Sequence, residues 1–192
     1  MVSDMTRIVV IDPQPAIRAG LAAMLRTEPG LVPVGAAEGA KDGIELVEHQ
    51  RPDVVLLDGD DLPLCRRLRA LEHPPRVVLY AAGEDHALPV TARVAGADGL
   101  VHKEAPTEVL FEALRLVGRG GSALPALDRE QLDLAAHRVE PEDLALLAML
   151  MDRTAPEDVA ATLRMDRRKL AKRIERVLGR LRAGGPGRPR MA

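Results

Sequence analysis

The stretch DVVLLD, at residues 53–58, is an apolar run that ends in a carboxylate. Similar short runs occur at residues 7–12 (RIVVID), 31–36, 76–80 (RVVLY) and 99–102. Continuous apolar runs of this length are typical of strands that are buried on both faces of a parallel sheet. The chain therefore offers five candidate strands.

Helical patterns separate these runs. Their apolar residues recur at helical spacing, and they lie at residues 15–26, 42–49, 64–71, 86–95 and 107–117. Five successive strand-then-helix units predict an α/β fold, with a five-stranded parallel doubly wound sheet covered by helices on both faces. In such sheets the chemistry lies beyond the carboxyl ends of the strands, where Asp12, Asp58 and Lys103 fall.

The composition is that of an ordinary soluble globular protein, with 46% hydrophobic and 29% charged residues. Cys65 is the only cysteine, so no intramolecular disulfide can form. With no apolar leader, we expect a cytoplasmic location. No apolar run is long enough to cross a bilayer, so we expect no membrane partner.

The net charge of −2 is unevenly distributed. Residues 164–192 hold eleven Lys and Arg against two acids, a net +9, so the rest of the chain carries −11. A basic end on an acidic body indicates a nucleic-acid partner for that end, although a solvated basic helix is the alternative. Tyr80 and Phe111 are the only aromatic residues, which argues against binding by base stacking.

The second half of the chain is predicted to be helical. We interpret residues 119–138 as a linker with a short helix near 129–136. Helical patterns follow at residues 141–151 and 156–163, and a last helix begins after Asp166, a plausible N-cap. Residues 184–192 are expected to form a disordered tail.

The first half resembles the receiver domain of two-component response regulators. The resemblance covers residues 7–118 and includes IVVID, PDVVLLD, RVVLY and GADGLVHKE. It implies a flavodoxin-like receiver domain at residues 1–118. It also implies that Asp58 occupies the phospho-acceptor position and Lys103 that of the phosphate-neutralising lysine.

Several positions depart from the receiver pattern. The family has two adjacent acids after its first strand, whereas Asp12 is followed here by Pro13. The Ser/Thr position after strand four falls on Ala81, and the aromatic position of strand five falls on Leu100. These changes remove a side-chain metal ligand, a hydroxyl that would bind the phosphoryl group, and an aromatic switch.

Our hypothesis is therefore that Asp58 is rarely or never phosphorylated in the usual Mg²⁺-dependent way, and that it forms an ion pair with Lys103. We expect no bound metal or other cofactor. Asp60 or Asp61 could restore a metal ligand if their loop folded inward. Constitutive activity, a small-molecule effector and partner binding all remain open as modes of control.

Residues 139–181 resemble the LuxR-type helix-turn-helix of the NarL/FixJ class, and we place a DNA-binding domain at residues 139–183. Asp158-Val159-Ala160 matches the family's second helix, and residues 166–174 match its third. The family's glycine-containing turn is replaced by residues 152–155. The resemblance implies a small all-α domain that follows the receiver.

The last helix is amphipathic. Its apolar residues recur at helical spacing and predict a buried stripe of Leu170, Ile174, Val177, Leu178 and Leu181. Its basic residues lie on the other side, where they could dock in a major groove and neutralise phosphates. The predicted DNA-binding residues are Arg167, Arg168, Lys169, Lys172, Arg173 and Arg176.

These observations predict an atypical bacterial response regulator that controls transcription. Its expected partners are double-stranded promoter DNA and a second copy of the chain in a homodimer, with RNA polymerase and a small-molecule effector as further candidates. The alternatives are a conventional regulator phosphorylated at Asp58 and a protein-binding signalling adaptor. No Gly-rich phosphate loop or paired metal-ligand histidine motif is present, so we do not expect an enzyme.

Overall fold

The computed structural model describes residues 5–83 and 85–183 of the 192-residue chain. Contacts divide the chain into two compact units. The first comprises Met1–Gly83 with Ala97–Pro125, and the second comprises Glu84–Gly96 with Ala126–Ala192. The predicted tail at residues 184–192 lies outside the described residues.

The first unit is built on a parallel sheet. Its strands are β1 (Thr6–Ile11), β2 (Leu31–Ala37), β3 (Val54–Asp58), β4 (Arg76–Ala81) and β5 (Gly99–His102). They lie in the order β2-β1-β3-β4-β5, and all neighbours are parallel. The helices of this unit are α1 (Pro15–Thr27), α2 (Ala40–Gln50), α3 (Leu62–Arg69) and α5 (Thr107–Gly118). The predicted α/β architecture is confirmed.

The strands are apolar because both faces of the sheet are covered. Successive side chains of a strand point to opposite faces, yet Val9 and Val10 of β1 are both 0% exposed. On one face, Val10 and Leu56 belong to a core that also contains Leu25 of α1 and Leu114 of α5. This double burial explains why the strand runs lack the alternation of a half-exposed sheet.

The register of the strands brings four strand ends to one edge of the sheet. Ile11 pairs with Leu57, one residue before Asp58. Asp58 pairs in turn with Tyr80, and Ala81 pairs with His102. The residues at and just beyond these positions therefore become neighbours.

The segment after α5 covers the free edge of β5. The backbone N–H of Ala123 donates to the carbonyl of Asp98 at 2.9 Å, and the N–H of Leu100 donates to the carbonyl of Ala123 at 3.2 Å. Such pairing satisfies backbone groups that an open edge would leave exposed. Part of the predicted linker at residues 119–138 is thus held against the sheet, although its boundaries stay a prediction.

The second unit is helical. It contains α4 (Leu88–Ala95), α6 (Arg129–Arg138), a 3₁₀ turn (Pro141–Asp143), α7 (Leu144–Met151), α8 (Pro156–Thr162) and α9 (Arg167–Ala183). Helix α4 follows β4 in the chain but packs against α6, α7 and α9. A helix that is apolar on most sides must be covered on most sides, and α4 buries six of its eight residues. The sequence predicts that all of residues 1–118 form the first domain, whereas contacts group α4 with the C-terminal helices.

Helix α9 confirms the predicted amphipathic pattern. Its buried residues are Leu170, Ile174, Val177, Leu178 and Leu181. Asp166 caps its first turn, because the carboxylate accepts a hydrogen bond from the N–H of Lys169 at 2.8 Å. None of the helices in the described ranges, the apolar α7 included, is long and apolar enough to cross a membrane.

Candidate functional site

The carboxyl edge of the sheet holds a cluster of two carboxylates and one ammonium group. Lys103 Nζ lies 2.9 Å from Asp12 Oδ2 and 2.7 Å from Asp58 Oδ1, and it donates a hydrogen bond to each. The side chains of Lys103, Asp12 and Asp58 are only 15%, 2% and 13% exposed. The structure therefore brings together the three strand-end residues that the sequence singles out.

The ammonium group of Lys103 is held in its charged form. Burial lowers the pKa of Lys103, but the hydrogen bonds and charges of Asp58 and Asp12 outweigh this effect, so the pKa lies above the ordinary value of 10.5. One cation therefore serves two carboxylates at neutral pH.

Local contacts hold Asp12 in place and leave little space beside Asp58. Asp12 Oδ1 accepts a hydrogen bond from the N–H of Gln14 at 2.8 Å, and the carbonyl of Asp12 accepts one from Arg18 at 2.7 Å. Gly59, next to Asp58, lies so close to Ala81 that a Cβ on Gly59 would be 2.4 Å from the Ala81 Cβ. The strand ends are thus closely packed as well as charged.

The structure places Ala81 at the end of β4 and Leu100 within β5. The carbonyl of Ala81 accepts a hydrogen bond from the N–H of Lys103 at 2.7 Å, so Ala81 borders the cluster. Its methyl group offers no hydrogen bond to an anion. Leu100 is buried in β5 opposite Leu79 and belongs to the sheet.

Sequence reasoning did not assign Tyr80 to this site. Lys103 Nζ lies 5.6 Å from the centre of the Tyr80 ring, and the Tyr80 hydroxyl donates to the carbonyl of Lys103 at 3.4 Å. Burial raises the pKa of Tyr80, and this effect outweighs the opposing charge of Lys103. Its position at the end of β4, directly before Ala81, was the available signal.

The described side chains at this edge offer a Mg²⁺ ion, which prefers octahedral oxygen coordination, the two carboxylates of Asp12 and Asp58. Asp12 and Asp58 are both engaged by Lys103, and Pro13 brings no side-chain ligand. Asp61 caps α3 by accepting a hydrogen bond from the N–H of Leu64 at 3.1 Å. Across residues 5–83 and 85–183, no three or more His, Cys, Asp or Glu side chains are grouped as metal ligands.

A second candidate site lies on α9. Arg168, Lys172 and Arg176 are spaced by four residues and exposed, and none forms an ion pair with another described residue. Residues four apart share one face of a helix. This face therefore presents three unneutralised cations to solvent, an arrangement that can bind a polyanion.

Two more cations extend this surface, although each has an acidic neighbour. Arg167 pairs with Glu157 at 2.9 Å, and Lys169 pairs with Asp166 at 3.5 Å. All four side chains are more than half exposed, so both pairs are weak and can exchange for another anion. A hydrogen bond from the Lys169 backbone is the main reason that the pKa of Asp166 is lowered.

Arg173, the sixth predicted residue of this surface, is placed differently. Its side chain is 17% exposed and pairs with Asp143, which is fully buried. It also donates to the carbonyl of Glu142. Arg173 therefore joins α9 to the 3₁₀ turn, a role that local periodicity could not reveal because Asp143 is 30 residues away.

Arg138 links three parts of the helical unit. Its guanidinium lies 3.2 Å from Asp85, just before α4, and donates to the carbonyl of Leu181 in α9 at 2.6 Å. The side chains of Arg138 and Asp85 are 14% and 23% exposed. Neither residue stood out in the sequence, because each is an ordinary charged residue beside a helix end.

Comparisons with known proteins identify the family to which the chain belongs. Residues 8–115 match the family model of the response regulator receiver domain. The chain is similar to the nitrate/nitrite response regulator protein NarL of Escherichia coli, with 32% identity over 61% of this chain and 56% of that one. It thus spans little more than half the length of NarL.

Two further similarities extend beyond the sheet. The DNA-binding transcriptional activator DevR/DosR of Mycobacterium tuberculosis is 26% identical over 92% of this chain and 88% of its own. Among solved structures, a two-component response regulator of the LuxR family from Aurantimonas sp. is 25% identical, with a TM-score of 0.59 over 71% of this chain and 99% of that one.

Proposed function

Because the chain belongs to the response regulator receiver domain family, we propose that it is a DNA-binding transcription regulator whose control does not depend on conventional Mg²⁺-dependent phosphorylation of Asp58. The observation that carries the DNA-binding part is the division of α9 into a buried apolar stripe and an exposed row of cations. Similarity to DevR/DosR over most of the chain supports it.

Double-stranded DNA is the polyanion that suits this helix best. A helix that packs on a small core through one face can enter a major groove with the other. Arg168, Lys172 and Arg176 would neutralise phosphates and release counterions, so affinity would depend steeply on salt. Helix-turn-helix modules commonly read paired half-sites, and we therefore propose that the chain binds as a homodimer.

The DNA-binding proposal is tested by neutralising the exposed row. The variant Arg168→Gln/Lys172→Gln/Arg176→Gln should lose nearly all retention on random-sequence duplex DNA. When affinity is measured by fluorescence anisotropy at several salt concentrations, the slope of log affinity against log salt should be smaller by about 3 in this variant. Each phosphate contact contributes about 0.9 to that slope. Unchanged binding by this variant would contradict the assignment.

A matched control removes three exposed cations elsewhere. The variant Arg26→Gln/Lys41→Gln/Arg67→Gln changes the net charge equally, on α1, α2 and α3. It should bind DNA as the wild-type chain does. If both triple variants lose DNA affinity equally, the loss comes from the lower net charge and not from the exposed row on α9. If the wild-type chain binds no DNA, the signalling adaptor is favoured instead.

The phosphorylation part rests on Lys103. Its ammonium group already forms hydrogen bonds with both carboxylates, in a cluster that lacks the family's second acid after β1 and its hydroxyl after β4. A phosphoryl donor approaching Asp58 would meet the neighbouring carboxylate of Asp12, and a divalent cation that offset this repulsion would have one side-chain ligand fewer, because Pro13 follows Asp12. We therefore assign the cluster a structural role as a buried ion pair.

A conventional phosphorylated regulator is the second candidate, since Asp58 and Lys103, which the resemblance assigns to the phospho-acceptor and lysine positions, lie 2.7 Å apart. Intact-mass measurement after incubation with acetyl phosphate and Mg²⁺ separates the two. We expect no phosphoryl adduct on the wild-type chain. Stoichiometric adduct on the wild-type chain that is absent from Asp58→Asn would overturn this part of the proposal.

A further inference from the structure

Three arginines adopt the left-handed backbone conformation that usually favours glycine. They are Arg51 at φ 46°, Arg153 at φ 55° and Arg164 at φ 51°. A side chain at such φ values crowds its own backbone, which costs stability. Positions that keep a strained non-glycine residue are candidates for a function of its side chain.

Arg164 lies in the turn between α8 and α9. Its N–H donates to the carbonyl of Ala161 at 3.2 Å, and the N–H of Met165 donates to that of Ala160 at 2.9 Å. These two bonds form the Schellman motif, whose left-handed residue is most often glycine. The same unit does use glycine after α4, where Gly96 has φ 86° and donates to the carbonyl of Arg93.

The side chain of Arg164 has no partner within the described chain. The residue is exposed and forms no ion pair or side-chain hydrogen bond there. It precedes Arg167 and Arg168, so its charge adds to the cationic start of α9. Arg51 differs, because it lines a cleft with Glu48 and Glu72 and so has acidic neighbours in its own chain.

We propose that Arg164 is a further DNA-binding residue, whose guanidinium contacts a backbone phosphate beside the groove that α9 enters. This inference rests on the proposed function and extends the binding surface from α9 into the preceding turn. The strain at φ 51° is retained because glycine would supply the turn without the charge.

The proposal predicts opposite effects on stability and binding. Arg164→Gly should raise the Tm of the full chain by about 1–4 °C, because the left-handed strain is removed. The same variant should bind a random-sequence duplex about three- to tenfold more weakly near 0.1 M salt, with a salt slope smaller by about 0.9. Arg164→Lys, which keeps the charge, should retain the wild-type slope.

Arg51→Gly is the matched control. It removes a left-handed arginine and one positive charge in the other unit, so it should leave DNA affinity and its salt slope unchanged. Wild-type binding with an unchanged slope in Arg164→Gly would overturn this inference alone, as would equal losses in the two glycine variants. No binding by the wild-type chain would overturn the proposed function as well.

Discussion

Replacing Lys103 by methionine should destabilise the unit that contains the sheet. The change removes the ammonium group and leaves Asp12 and Asp58, which are 2% and 13% exposed, facing each other without a cation. Breaking a buried ion pair from one side costs about 3–5 kcal/mol. Since Asp58 keeps some contact with water, we expect the free energy of unfolding to fall by about 3 kcal/mol, the lower end of this range.

Urea unfolding followed by tyrosine fluorescence measures this loss directly. Tyr80 is the only tyrosine, no tryptophan is present, and the Tyr80 ring lies 5.6 Å from Lys103 Nζ. The signal therefore reports on the unit that holds the cluster. With a slope of about 2 kcal/mol per molar urea, the midpoint of Lys103→Met should fall by about 1.5 M.

The pH dependence has a definite sign. The folded-state pKa of Lys103 is raised, so its stabilisation is complete below the ordinary value of 10.5 and is lost as pH rises through the folded value. The difference between the wild-type chain and Lys103→Met should accordingly persist through neutral and mildly alkaline pH and shrink only beyond 10.5.

The carboxylates provide the internal control. Adding Asp12→Asn and Asp58→Asn to Lys103→Met removes the uncompensated charges, and this triple variant should recover about 2 kcal/mol of the loss. A loss below about 1 kcal/mol in the single variant, or no recovery in the triple variant, would refute the assignment of the cluster as a structural ion pair.

Two substitutions and one chemical modification test the packing. Gly59→Ala should lower the free energy of unfolding by about 2 kcal/mol in urea titrations, because its Cβ would lie 2.8 Å from the Ala81 Cα. Cys65 is 0% exposed, and burial raises its pKa from 9.0 to about 12. Its alkylation should therefore be at least about 1,000-fold slower in the native chain than in urea. Arg138→Ala should lower the free energy of unfolding by about 2 kcal/mol in thermal unfolding, since the partly buried Asp85 loses its cationic partner.

Each of these predictions has a comparison that can contradict it. Gly20 lies within α1, and a Cβ added there would meet no atom of another element within 4 Å. Gly20→Ala should therefore raise the free energy of unfolding by about 0.5–1 kcal/mol. The side chain of Arg129 is 94% exposed, so Arg129→Ala should change the free energy of unfolding by no more than about 0.5 kcal/mol. The packing argument is wrong if Gly59→Ala and Gly20→Ala have the same effect on the free energy of unfolding. It is also wrong if Arg138→Ala and Arg129→Ala have the same effect. Rapid alkylation of native Cys65 would show that its site opens to solvent.

Local sequence patterns were enough for the elements and for the centre of the strand-end site. The DVVLLD run predicted β3, and the spacing of Leu170, Ile174 and Val177 predicted the buried side of α9. These features are readable because a strand or helix repeats its environment every two or 3.6 residues. Asp12, Asp58 and Lys103 could be brought together because parallel strands end at a common edge.

Contacts between distant residues could not be read in the same way. The sequence alone determined five strands, an amphipathic last helix and the identity of three charged strand-end residues. Tertiary structure decided that Arg173 pairs with Asp143, that Ala123 covers β5 and that α4 packs with the C-terminal helices. Periodicity reports which side of an element is buried, but which partner covers that side depends on how the whole chain packs.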